Sequence, residues 1–141
     1  MRFTRHLFFS LILLASLGFT ACEKTAPSPE SATKAQLVGR WQFVESSGGS
    51  TGKTIPADPA KKYEVVFTAA GQATGLLNGT VTGTAPYTLT VADAITGPNK
   101  IFLNCSGIQG LFAQGPIEIS GNNFYLSDNF YDGFMSHYVR R

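Results

Sequence analysis

From residue 36 onward, apolar side chains recur at every second position, the period of a strand with one buried face. Trp41 and Phe43 share a face, with Arg40, Gln42 and Val44 opposite. Tyr63, Val65 and Phe67 alternate with Lys62, Glu64 and Thr68, and Tyr87, Leu89 and Val91 with threonine or alanine. Ile117 and Ile119 alternate with Glu118 and Ser120. No stretch of ten or more residues carries the i, i+3, i+4, i+7 spacing of an amphipathic helix. The pattern predicts strands over residues 39–46, 62–68, 72–77, 80–84, 87–92, 100–104, 117–120, 123–127 and 134–140. Asn78-Gly79 is a two-residue hairpin signal, and Ala70-Gly71, Gly121-Asn122 and Asp132-Gly133 are further turn positions. Pro86 and Pro116 fall at strand starts, where a missing N–H does least harm. Two longer connections remain, residues 48–60 and 106–115. Such strands must curl or stack to hide their apolar faces and edges. The expected fold is all-β, a small antiparallel up-and-down barrel of about eight strands, with a two-sheet sandwich as the alternative.

The first 35 residues break this pattern. Arg2 and Arg5 precede an apolar run, LFFSLILLASL, too short to span a bilayer at ~20 residues. A basic start, a short apolar core and small residues at a cleavage point describe an export signal. Phe19-Thr20-Ala21-Cys22 has the form of a lipoprotein cleavage site, with a large apolar residue at −3 and a cysteine to carry acyl chains. A leader with an incidental cysteine is the plainer alternative. Each buried acyl CH₂ contributes ~0.8 kcal/mol, so several chains anchor firmly. Residues 23–35, EKTAPSPESATKA, lack an apolar period and read as flexible. The expected organisation is a signal peptide over 1–21, a tether over 22–35 and the barrel over 36–141. The expected location is the bacterial cell envelope, lipid-anchored on the outer membrane and facing the periplasm.

The leader also accounts for the charge. The whole chain has 11 basic and 9 acidic residues, and losing Arg2 and Arg5 leaves 9 of each. No basic patch then argues for nucleic acid. If Cys22 carries lipid, Cys105 is the remaining thiol and no internal disulfide forms. The core must hold the fold without covalent help.

Little in the chain suggests catalysis. Beyond the leader there is one histidine, His137, and no metal-ligand spacing, nucleophile elbow or phosphate loop. Thr51-Gly52-Lys53-Thr54 lacks the first glycine and the strand–helix setting of a phosphate loop. No enzyme activity, metal or cofactor is expected. Cys105 with His137 is one pairing that would make a thiolate nucleophile; the plainer expectation is a cysteine packed as a small apolar residue. His137 is expected half-exposed on the last strand. Phe112, Phe130, Tyr131 and Phe134, on or beside loops, form a candidate ligand mouth, with lids over an ordinary core as the plainer alternative.

Gly39-Arg40-Trp41 resembles the G-x-W signature that opens the first strand of lipocalins. In that family the tryptophan closes the bottom of the barrel and an arginine from the last strand packs across it. The resemblance implies this role for Trp41, with Arg140 as the expected partner and Arg141 as the alternative. The order of leader, cysteine, tether, G-x-W strand and Y-x-R end also resembles compact lipocalin-like bacterial lipoproteins. The META-type envelope domain is a second resemblance, through its apolar-Gly-x-Trp strand, although its G-C-N segment has no counterpart here. The expected function is therefore a membrane-tethered barrel binding a small apolar ligand. The alternative is a solid barrel acting as a protein-interaction or inhibitor-type module.

Overall fold

The structure, a computed structural model, describes residues 26–141. The expected leader and Cys22 lie outside the described residues. Ten strands follow one helix: α1 (Pro29–Leu37), β1 (Gly39–Gly48), β2 (Lys53–Pro56), β3 (Tyr63–Phe67), β4 (Gln72–Leu77), β5 (Thr80–Pro86), β6 (Thr88–Ala94), β7 (Gly97–Asn104), β8 (Gly115–Ser120), β9 (Asn123–Ser127) and β10 (Phe134–Arg140). Nine coincide with the predicted strands. The tenth, β2, pairs with the end of β1 inside the connection expected to be a loop. Asn78 and Gly79 both sit at positive φ, 51° and 83°, which a primed two-residue hairpin demands. Asp132-Gly133 is not such a turn. The β9–β10 loop spans residues 128–133 and is closed by Asp128 N–H donating to the Phe134 carbonyl, 2.8 Å.

The sheet is antiparallel throughout, in the order β5-β4-β3-β1-β10-β9-β8-β7-β6. Phe67 on β3 and Phe124 on β9 have two strands between them, which in a flat sheet separates them by ~14 Å. Their ring centroids are 6.1 Å apart, so the sheet is strongly curled. It does not close, which corrects the expected eight-stranded barrel. The edge strands β5 and β6 are joined by Tyr87 alone, and a hairpin needs at least two residues to reverse the chain. The chain therefore runs straight from one edge strand into the other. Tyr87 is buried at that step, its N–H donating to the Gly71 carbonyl (2.8 Å) and its hydroxyl to the Thr68 carbonyl (2.9 Å).

The interior is filled by Trp41, Val65, Phe67, Leu103, Phe124, Leu126 and Tyr138, all essentially inaccessible. The connection between β7 and β8 adds to this filling. Ile108 is buried and Gly110 packs against Tyr63 on β3, so the loop folds back across the opposite arm of the sheet. Gly75 on β4 makes room for it, since a Cβ there would stand 2.5 Å from the Gln109 carbonyl oxygen. Tyr138 anchors the loop by donating to the Gly110 carbonyl at 3.0 Å. Burial pushes the Tyr138 hydroxyl well above its ordinary pKa, so it stays a donor.

Within the expected tether, the described residues are helical from Pro29. Ser28 caps the helix by accepting from Ser31 N–H at 3.2 Å, and proline follows in the first turn. Glu30 and Lys34 sit at the ends their charges favour. A nine-residue helix is marginal alone, and this one is held by fully buried Leu37 and by packing on β6, β7 and β8. Trp41 Nε1 donates to the Leu37 carbonyl at 2.7 Å, satisfying an acceptor left over at the helix end. Arg140 lies across the other side of the indole, Cζ 4.2 Å from the ring centroid, within cation–π range. It also donates to the Val38 carbonyl (3.0 Å) and the Gln36 carbonyl. Gly39, at φ +139°, permits this crossing: a Cβ there would meet Arg140 Nη1 at 2.6 Å.

On the outer face, Glu64 departs from the expected alternation in being buried, 1% exposed. Arg40 covers it with two hydrogen bonds (3.0 and 2.8 Å) and Lys62 with one ion pair (3.1 Å). Burial alone would raise its pKa, but the hydrogen bonds and charges of Arg40 and Lys62 outweigh it and hold the carboxyl below its ordinary 4.5. A lowered folded pKa means the stabilisation is complete above the unfolded value and disappears as pH falls through the folded one. Glu64→Gln is expected to cost about 1–2 kcal/mol at neutral pH, both cations being half-exposed, and to flatten the loss of stability below pH 4.5. Urea midpoints at several pH values check this, and parallel curves for variant and parent would contradict it.

Candidate functional site

Strand register separates two ends of the molecule. Trp41 pairs with Arg140 at the end beside α1, and Gly48 pairs with Phe134 at the other. Seven residues of strand place these ends ~23 Å apart. The Trp41 end is covered by the indole, Arg140 and the helix. The other end is open.

A bulge in β1 shapes the open end. Phe43 pairs with Tyr138 but Glu45 with His137, so Val44 is the extra residue. Past it, the inward positions shift by one, turning Ser46 inward and Glu45 outward. Ser46 meets buried Ser136 across the ladder, Oγ to Oγ 3.2 Å. Above this hydroxyl pair lies a cleft of about 340 Å³. Its walls are Phe43, Phe112, Phe134, Ile55 and Pro56, with Asp58 and Asp128 at the polar side. Phe112 stands against Phe43 at 4.7 Å and Tyr63 at 5.3 Å between centroids, and is still 49% exposed. The volume falls at the lower end of the ~300–1,000 Å³ common for ligand pockets, and an apolar lining with a few polar groups is their usual composition. A larger concavity of about 510 Å³ lies among Lys100, Glu118, Tyr125 and Met135. Its lining is mostly exposed and half-buried residues, with Tyr125 its one aromatic.

Of the four candidate mouth residues, Phe112 and Phe134 line the cleft. Phe130 and Tyr131 do not. They stand at the tip of the β9–β10 loop, 74% and 91% exposed, above a neighbouring groove that also contains Ile95 and Met135. Ser46, Ser136 and Ile55 were missed by sequence reasoning. Strict alternation put Ser46 on the outer face with the polar residues, and nothing local in the sequence marks Val44 as a bulge.

Cys105 and His137 are not brought together. Cys105 belongs to the core, where burial raises its thiol pKa and leaves it a poor nucleophile. His137 is half-buried on the outer face, its nitrogens engaged by Glu45 (3.3 Å) and Asn123 (2.9 Å) and its ring stacked on Tyr125. Residues 51–54 are the end of a turn and the start of β2, with no helix following. Among the described residues no group of three or more histidine, cysteine, aspartate or glutamate side chains is arranged to hold a metal ion, and no helix is long and apolar enough to cross a membrane. The cleft can bind by apolar contact and a few hydrogen bonds; it holds no nucleophile–base pair. No protein-family model, curated protein or solved structure matches the chain.

Proposed function

We propose that this protein is a lipid-anchored cell-envelope lipoprotein that binds a small, largely apolar ligand in the cleft between β1, β2 and Phe112. The cleft itself carries the reading: aromatic walls stand over the paired hydroxyls of half-buried Ser46 and buried Ser136, at the one end that the helix and Arg140 leave uncovered. The lipobox form of residues 19–22 supports the anchor, with Cys22 acylated and the molecule held at the outer membrane facing the periplasm. The G-x-W strand, with Arg140 stacked on Trp41, supports a lipocalin-like relationship. In this fold the ligand sits at the rim, since the interior is occupied by side chains and by residues 105–113.

Native mass spectrometry of the protein purified from its own membranes tests both halves. The expected spectrum contains the acyl mass on Cys22 and a second, non-covalent mass that Phe112→Ser abolishes. An unacylated Cys22 would overturn the anchor. A bare protein that also fails to take up 1-octanol at Phe112 would overturn the ligand.

A second reading has its own observation. Phe130 and Tyr131 form an exposed aromatic pair at a loop tip, the composition of a protein-contact hot spot. Cross-linking from Tyr131 in intact envelopes would yield a defined protein adduct on this reading and none on the first.

A further inference from the structure

We infer that the cleft selects ligands carrying a positive charge beside the apolar body, an alkylammonium in chemical class. The inference rests on the ligand-binding reading above and adds the sign of the charge. The ionisable residues lining the cleft are Asp58 and Asp128, and no lysine, arginine or histidine joins them. Asp58 is half-exposed and accepts from Ala60 N–H at 2.9 Å. Its ion pair with Lys61 is long, 3.8 Å, and both partners are about half in solvent, so it neutralises little. Asp128 accepts from Phe134 N–H at 3.2 Å, which holds its carboxylate at the cleft, and it makes no ion pair among the described residues.

The remaining walls favour the same sign. Phe43, Phe112 and Phe134 line the cleft, and an aromatic face attracts a cation through its quadrupole. Half-buried Ser46 and buried Ser136 share one hydrogen bond, so the floor carries hydroxyls and no cationic group. An anionic amphiphile would bring its charge toward two carboxylates with no counter-charge in the lining. A neutral one gains contact area alone. A cation gains the area, the ring faces and the carboxylates.

The test uses the chain from residue 22 onward with Cys22→Ser, so that no acyl chain competes for the cleft. It is titrated with n-octyltrimethylammonium, 1-octanol and octanoate, followed by amide shifts of Ser46, Phe112 and Ser136. The ammonium is expected to bind about five- to tenfold tighter than octanol, with octanoate weakest. Asp128→Asn keeps an acceptor for Phe134 N–H and is expected to bring the ammonium affinity down toward that of octanol in the same variant; Asp58→Asn repeats the measurement should the first fail to fold. Equal affinities for all three probes would overturn charge selection and leave the ligand reading standing. Ammonium shifts confined to other surfaces would overturn the selection as well. No shift at the cleft with any probe would overturn both.

Discussion

Trp41→Ala is expected to lower stability by about 3–5 kcal/mol, a large share of the ~5–15 kcal/mol available to a domain of this size. The ring is fully buried, 5.5 Å from Phe124 and covered by Arg140. Alanine leaves a cavity, strands the Leu37 carbonyl that Nε1 satisfies, and leaves Arg140 over empty space. Trp41→Phe keeps most of the apolar area and loses the N–H, so its cost is expected at about 1–3 kcal/mol. The difference between the two substitutions separates packing from the hydrogen bond that ties α1 to the sheet. Urea unfolding measures both, with an unchanged slope showing that stability alone moved. A loss under about 1 kcal/mol for alanine would mean that this end of the sheet is held by the helix and not by the indole.

Gly75→Val is the second substitution with a large expected effect, about 3 kcal/mol, at the upper end of ordinary overpacking costs. The new Cβ would stand 2.5 Å from the Gln109 carbonyl oxygen and 2.5 Å from Ile108 Cγ2. The first of these is backbone, so residues 105–113 must move as a piece. The displacement is expected to reach Phe112 and the Tyr138–Gly110 hydrogen bond, raising hydrogen exchange in residues 106–112 and weakening any ligand uptake at the cleft. Gly83→Ala, on the neighbouring strand, supplies the contrast. Its Cβ would lie 3.4 Å from the Gly107 carbonyl oxygen, an ordinary contact, and a change within about 0.5 kcal/mol is expected. Both substitutions remove a glycine from a strand interior, which by itself favours the strand, so similar losses at both positions would contradict a collision specific to Gly75.

Most strands were legible because burial on one face imposes a period of two that few other structures produce. Tyr63, Val65 and Phe67 read correctly as inward residues for that reason. The helix was less legible: Leu37 is its one fully buried residue, so no apolar stripe forms. Its start was nonetheless written in Ser28, Pro29 and Glu30, a cap, a proline in the first turn and an acid. Of the four candidate mouth residues, all aromatics on or beside loops, Phe112 and Phe134 line the cleft. Phe130 and Tyr131 do not, and a residue on a loop tip carries no local sign of whether it turns toward the cleft or away.

By itself, the sequence determined what depends on neighbours a few residues apart. The strand positions, the Asn78-Gly79 hairpin and the all-β class follow from alternation and turn chemistry. The tertiary structure decided what depends on chain segments that meet from far away. Arg140 reaches Trp41 and the Gln36 carbonyl across about a hundred residues, and Arg40, 24 positions earlier, joins Lys62 in closing over Glu64. The bulge at Val44 lies in the ladder between β1 and β10, strands ninety residues apart in the chain, and it turns Ser46 into the cleft. Whether the sheet closes was likewise beyond local pattern. A single residue, Tyr87, carries the chain from one edge to the other, and reversal at that point would have required a second.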